Sequence, residues 1–285
     1  MISSRRTVSK AQVVAALSEA GLAGSSLVVH ASLRSFGTLE AGPDTIIDAI
    51  LAVGSTILVP THSFRSCLIA PPEKHAIDFN SEDDGSLELA RSIDVRPWET
   101  GALFVDPAMG HLPSRVLERT GHVRGDHPLC SFTALGPLAR DLVAHQTAID
   151  VFAPLRELAL RGGQVVAMGV DLSSVTLIHL AEQQAGLRML QRWALSNDGP
   201  ITCLHGGCSR GFERLATIVR PVETQARVGL SPWRIWPAAS MLGLLRDQLR
   251  LSPGLGTCSN DPCPRCRDLV AEALTTLSHE GTARR

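Results

Sequence analysis

The chain has 285 residues, 44% hydrophobic and 19% charged, which is enough apolar material for a sizeable core. Its formal net charge is −1, its Lys and Arg residues are scattered, aromatics make up 4% and Tyr is absent, which argues against a nucleic-acid track or an anionic membrane surface as partner. Seven cysteines cannot all pair within one chain, and no apolar stretch of signal-peptide or membrane-span length occurs, so the reading is a reduced, cytoplasmic protein.

Apolar residues recur at helical spacing over residues 8–20. The β-branched run SSLVVHASL (25–33) predicts a buried strand, GPDTIIDAILAV (42–53) a helix and STILVPTHSF (55–64) a second strand, together a crossover unit of an α/β layered fold. Residues 65–106 break the rhythm. Over 73–106 there are nine acidic and three basic residues, net −6, which predicts a long acidic loop: either a solvated surface or a lid that attracts a polycation. Order resumes with helices over 112–119 and 154–163, and the segment 131–146 enters a helix after Pro137. QVVAMGV (164–170) predicts a buried strand, and DLSSVTLIHLAEQQAG (171–186) a helix that Ser173 or Ser174 can cap and Gly186 can end. Weaker strands, a stretch with Trp233 and Trp236, a helix over 238–250, a cysteine cluster and a final helix follow. With no internal repeat or low-complexity linker, the expectation is one α/β domain over 1–285, a layered sheet flanked by helices. Residues 65–106 form its acidic loop, and 200–285 its C-terminal part with a small Cys-rich element.

Three stretches carry candidate chemistry. His179 and Glu182 lie three residues apart on one helical face, flanked by Leu177, Ile178, Leu180 and Ala181. A carboxylate beside an imidazole fixes its tautomer and raises its basicity, as a general base for an amine requires; the same spacing also serves an ordinary structural hydrogen bond. VVHASLRSFG (28–37) ends a strand in small and polar residues, where backbone N–H groups and Arg34 can receive phosphate oxygens, or where the chain simply turns into a helix. In DHPLCSFTALG (126–136), His127-Pro128 fixes an extended or turn geometry ahead of Ser131.

The sequence GTCSNDPCPRCRD sets Cys258-x4-Cys263-x2-Cys266, and CxxC is a metal half-site. ITCLHGGC offers Cys203, His205 and Cys208 as further ligands. Four thiolates, Cys208, Cys258, Cys263 and Cys266, would close a tetrahedral structural zinc site with no open position for catalysis; free thiols and reversible redox chemistry are the alternatives.

In this order and separation, VVHASLRSFG (28–37), GSTILVPTHSF (54–64), DPAMGHLPSRVLERTGHVRGDHPLCSFTALG (106–136) and above all GGQVVAMGVDLSSVTLIHLAEQQAG (162–186) resemble the aminoglycoside 3-N-acetyltransferases, the antibiotic acetyltransferase family. The resemblance spans about residues 10–190. It implies an α/β fold of the antibiotic acetyltransferase type, acetyl-CoA as donor and an aminoglycoside amine as acceptor. On the family's pattern His179 is the base and Glu182 supports it, Ser32, Leu33 and Arg34 hold the CoA phosphopantetheine and pyrophosphate, and Ser131 and Phe132 contact the donor near the thioester. Thr176 is a candidate hydrogen-bond donor beside His179. The chain departs from many relatives in the long acidic path after PTHSF, which leaves the acceptor open. Other readings are transfer to a different natural-product or metabolite amine, and a catalytically silent CoA-binding protein. A hydrolase using Ser131 or Ser32 with His179 lacks a G-x-S-x-G elbow. No nucleic-acid or membrane partner is expected, and a homodimer stays open.

Overall fold

The structure, a computed structural model, describes residues 7–69, 94–259 and 263–271. Its strands in chain order are β1 (Thr7–Val8), β2 (Ser26–Ala31), β3 (Thr38–Leu39), β4 (Thr56–Pro60), β5 (Cys67–Leu68), β6 (Val123–Arg124), β7 (Phe132–Leu135), β8 (Gln164–Met168), β9 (Leu190–Ser196), β10 (Gly199–His205), β11 (Thr224–Val228) and β12 (Ser231–Pro237). Seven of them form one sheet in the order β11-β12-β8-β2-β4-β7-β6. The central trio β8, β2 and β4 is parallel, and the strands added on either side are antiparallel.

Helices cover both faces of this sheet, so its central strands are buried on both sides and read as continuous apolar runs. The period of two along each strand sorts their side chains into two cores. Val28, Leu58, Val165 and Ala167 point to one, beneath helices Ala139–Val143, Ala153–Leu160, Leu177–Gln184 and Ala238–Leu251. Leu27, Val29, Ile57, Val59, Val166 and Met168 point to the other, beneath helices Lys10–Glu19, Pro43–Ala52 and His111–Glu118. Burying each such aliphatic side chain contributes about 1.5–3 kcal/mol against its ordering entropy. Helix Lys10–Glu19 opens with a capping box: Ser9 accepts the Gln12 N–H, and the Gln12 side chain accepts the Ser9 N–H at 2.9 Å. Gly136 turns the chain out of β7 at φ +124°, with no room for a Cβ against the Ser55 carbonyl.

A second, three-stranded antiparallel sheet, β10-β9-β5, stands apart from the first. Its β9–β10 hairpin ends at His205 and delivers the next residues to the site described below. Two local expectations are corrected. The segment 171–186 is not one helix: a 3-10 turn, Leu172–Ser174, comes first, and the helix proper is Leu177–Gln184. Asp171, not Ser173 or Ser174, caps the 3-10 turn, accepting the Ser173 N–H at 3.0 Å on its short carboxylate, and the helix proper starts after Thr176 with no side-chain cap. Ser131 leads into strand β7, Phe132–Leu135, which pairs with β4, and the helix expected after Pro137 begins at Ala139. Most of the acidic stretch, residues 70–93, lies outside the described residues. Among the described residues no helix is long and apolar enough to cross a membrane.

Candidate active site and cysteine cluster

A cavity of about 690 Å³ opens where β2, β4 and β8 run out at their carboxyl ends, bounded there by Ala31, Pro60 and Val170. Ligands of α/β sheets are received at this end, and the volume suits a cofactor or drug-sized molecule. His179 and Thr176 are in the wall, contributed by helix Leu177–Gln184 and the residue before it.

His179 is held on all sides. Its Nδ1–H donates to Oε2 of Glu182 at 2.6 Å, and Glu182 is 1% exposed. Phe152 stacks parallel to the imidazole at 6.2 Å and Phe212 meets it edge-on at 4.8 Å. Gly206 covers the ring so closely that an added Cβ would lie 2.5 Å from its Cγ and Cδ2. With Nδ1 committed to the carboxylate, Nε2 is the nitrogen left to exchange a proton, and an imidazolium formed there would be paired with a buried anion.

Three further histidines line the cavity, and sequence reasoning assigned none of them a role there: His30 from β2, His62 after β4 and His205 at the end of β10. Nε2 of each is buried without a hydrogen-bond partner. Burial holds His30 down at about pKa 4 and His62 at about 3, and pushes His205 well below the ordinary range, so all three are neutral at pH 7. Arg192 and Arg265 are the cationic residues of the wall; burial lowers Arg192 to about 10, still charged at neutral pH.

The remaining candidates fall away from the wall. Ser131 and Phe132 are each 0% exposed. Ser131 Oγ donates to the Thr61 carbonyl at 3.1 Å and accepts from Nε of Arg124 at 2.9 Å. Phe132 packs edge-on against His62 at 6.2 Å, so this loop backs a wall residue. Beside them His127 accepts the Leu129 and Cys130 N–H groups at Nδ1 (3.1 and 2.8 Å) and donates from Nε2 to the Leu204 carbonyl at 2.8 Å, which ties the loop to β10. Ser32 heads the 3-10 turn Leu33–Phe36, just beyond wall residues His30 and Ala31. Its N–H donates to the Met168 carbonyl at 2.9 Å; Ser32 and Leu33 are half-buried and Arg34 is exposed.

The cysteines separate by environment. Cys67, Cys130 and Cys203 are core thiols whose burial raises their pKa, Cys130 to about 12. Cys208, Cys258, Cys263 and Cys266 converge, their Sγ atoms all within 4.8 Å of one another. The Cys263 N–H donates to Sγ of Cys258 at 3.5 Å. A hydrogen bond between Cys266 and Cys208 draws Cys208 down to about 5 and holds Cys266 up. Cys203 and His205, the other candidates of that stretch, are outside this group.

The sequence profile of the family described as aminoglycoside 3-N-acetyltransferase matches residues 28–243. The aminoglycoside N(3)-acetyltransferase VIII of Streptomyces fradiae is 31% identical over 185 residues, a stretch that is 62% of this chain and 62% of that protein's length. The fold is that of aminoglycoside acetyltransferase AAC(3)-IVa, solved as a histidine-to-alanine mutant in complex with gentamicin: the match has a TM-score of 0.73 at 21% identity and covers 94% of this chain and 98% of that one. AAC-IIIb, solved as a binary complex with CoASH, matches with a TM-score of 0.67 at 22% identity, over 86% and 97% of the two chains.

Proposed function

The chain belongs to the aminoglycoside 3-N-acetyltransferase family, and from that premise we propose that it transfers the acetyl group of acetyl-CoA to an amine, the 3-amino group, of an aminoglycoside. One observation carries this reading: an imidazole in a cofactor-sized cavity, backed by a buried carboxylate at 2.6 Å. In direct transfer the neutral amine attacks the thioester carbonyl, His179 Nε2 takes the amine proton, and Glu182 stabilises the resulting imidazolium. Collapse of the tetrahedral adduct breaks the carbon–sulfur bond, and the proton held by His179 passes to the departing thiolate. The Thr176 hydroxyl, in the same wall, is our candidate donor to the developing oxyanion.

Arg192 and Arg265 give the cavity a positive side for the phosphates of CoA, and the Ser32–Arg34 turn beyond β2 would extend that contact toward the pyrophosphate. His30 and His62 are held neutral by burial, so they add no positive charge to the cavity that would repel a polycationic acceptor. The net −6 charge of residues 73–106 would attract the same substrate. The cytoplasm, where acetyl-CoA is available, is the setting this reading implies. It includes zinc on the four cysteines as a structural ion, since tetrathiolate ligation leaves no position for substrate.

The test is thiol release from acetyl-CoA against a panel of aminoglycosides. Release that depends on acceptor and collapses in His179→Ala supports the reading. Binding of acetyl-CoA with no turnover on any aminoglycoside would move the acceptor to another amine, and absence of acetyl-CoA binding would overturn the transferase reading.

A further inference from the structure

The four-cysteine cluster joins two stretches of chain that both touch the candidate catalytic pair. The first runs from His205 to Phe212 and contains Cys208. Its Gly206 lies on the His179 imidazole, with no space for a Cβ, and its Phe212 supplies the edge-on ring at 4.8 Å. The second comprises the described residues 256–259 and 263–266 and contains the other three cysteines. A Cβ on Gly256 would sit 3.7 Å from Oε1 of Glu182, so this backbone passes within one methyl group's reach of the carboxylate. The two stretches meet at Gly211, where a Cβ would stand 1.9 Å from the Thr257 carbonyl oxygen. Between Cys263 and Cys266, Arg265 reaches the cavity wall.

Residues 264–271 continue the second stretch as a helix that packs on Leu187 through Leu269 and Val270, and the Arg188 N–H donates to the Leu269 carbonyl at 3.1 Å. A zinc tetrathiolate with bonds of about 2.3 Å has sulfurs ~3.8 Å apart, and the four Sγ atoms here already lie within 4.8 Å, with Cys208 and Cys266 buried.

We infer that Cys208, Cys258, Cys263 and Cys266 bind one zinc ion, and that this ion is the clamp that sets His179 against Glu182, making turnover depend on metal occupancy. The inference rests on the transferase reading for its kinetic consequence alone. Zinc closes the two stretches over the pair, Gly206 and Phe212 fix the plane of the imidazole, and Gly256 backs the carboxylate. A displacement of about 1 Å in a catalytic group can cost on the order of 100-fold in rate.

The experiment uses the full chain purified without chelator. Elemental analysis is expected to find one zinc per chain. Removal of zinc by chelation, or Cys263→Ser, is expected to lower kcat at least about tenfold and to speed hydrogen exchange in residues 177–184; zinc added back to the chelated protein restores both. Gly206→Ala, which leaves every thiol in place, is expected to keep the zinc and lose kcat while KM for acetyl-CoA holds. Protein that takes up no zinc from excess metal overturns the inference. So does metal-free, folded protein with unchanged kcat and exchange, or a fully active Gly206→Ala. If the holoprotein acetylates nothing, the transferase reading fails by itself, and the exchange of 177–184 with and without zinc still decides the clamp.

Discussion

Glu182→Gln isolates the charge of the buried carboxylate from its shape. The amide is nearly isosteric, and its oxygen can still accept the Nδ1–H of His179 at the position where Oε2 now lies 2.6 Å away. Ring orientation should therefore persist, with Phe152 and Phe212 unmoved on either side. What disappears is the anion facing the imidazolium as the amine proton arrives. A hydrogen bond to a charged group contributes about 1.5–3 kcal/mol against ~0.5–1.5 for a neutral one, and the 1% exposure of Glu182 puts the loss at the upper end of that gap. A loss of ~2–2.5 kcal/mol in the transition state is a fall in kcat of about 30–70-fold. The assay is steady-state thiol release with a saturating aminoglycoside, with circular dichroism as the check on folding. KM for acetyl-CoA should change little, because the carboxylate faces the imidazole rather than the donor. A folded Glu182→Gln enzyme within about threefold of the parent kcat would refute the idea that this carboxylate supports a base.

Stability should fall on mild acidification. His30, His62 and His127 have folded pKa values of about 4, 3 and 4, below the ordinary 6.5, so between those limits the unfolded chain binds protons that the folded chain refuses. Their contribution is complete above pH 6.5 and is lost as pH drops toward 4; denaturant melts across that window should show it, and His62→Gln should flatten the slope. Arg124→Met should cost about 3–5 kcal/mol in urea unfolding, because the guanidinium bonds the Ala102, Thr61 and Phe104 carbonyls and Ser131 Oγ from a buried position, and methionine removes all of these bonds and leaves the Ala102 and Phe104 carbonyls without this donor. Phe212→Ala, removing a fully buried ring, should destabilise by about 3–5 kcal/mol, with kcat reduced even in the protein that remains folded at low temperature.

The parts of the site that sequence revealed are those set by local spacing. His179 and Glu182 are one helical turn apart, and the CxxC of Cys263 and Cys266 is closed by its own turn, so both were legible before any fold was known. His30, His62 and His205 stand inside stretches that were already singled out, yet they come from three elements that only the strand order brings together. Alternation gave no help along β2, where Ser26–His30 are all buried and neither face is marked as the one that carries a ligand. The surroundings of Ser131 were hidden for a related reason. A hydroxyl before a small-residue run resembles a ligand-contacting turn, and nothing local reveals that a cation seven residues upstream, Arg124, claims its oxygen. The antiparallel edge strand β6 was likewise invisible, since with two residues it carries too little periodicity to declare itself.

Five histidines gather in or under this cavity, and their surroundings assign them different work. His127 has both nitrogens committed to the backbone, two N–H groups on Nδ1 and a carbonyl on Nε2, so it cannot exchange protons without breaking the loop it holds. His30 and His62 are buried with Nε2 unpaired, and desolvation, joined at His62 by repulsion from neighbouring histidines and Arg124, drives each far below neutrality. Such a group can accept a hydrogen bond from a bound ammonium or hydroxyl, but protonating it would place an uncompensated charge in the wall. His205 donates from Nδ1 to the Gly206 carbonyl at 2.5 Å, a neutral acceptor that does little to stabilise a cation. His179 alone among them hydrogen-bonds a carboxylate, and that carboxylate is sealed from water. A base for an amine must become a cation during the reaction; of the five, His179 is the one whose cationic form the protein has prepared to receive.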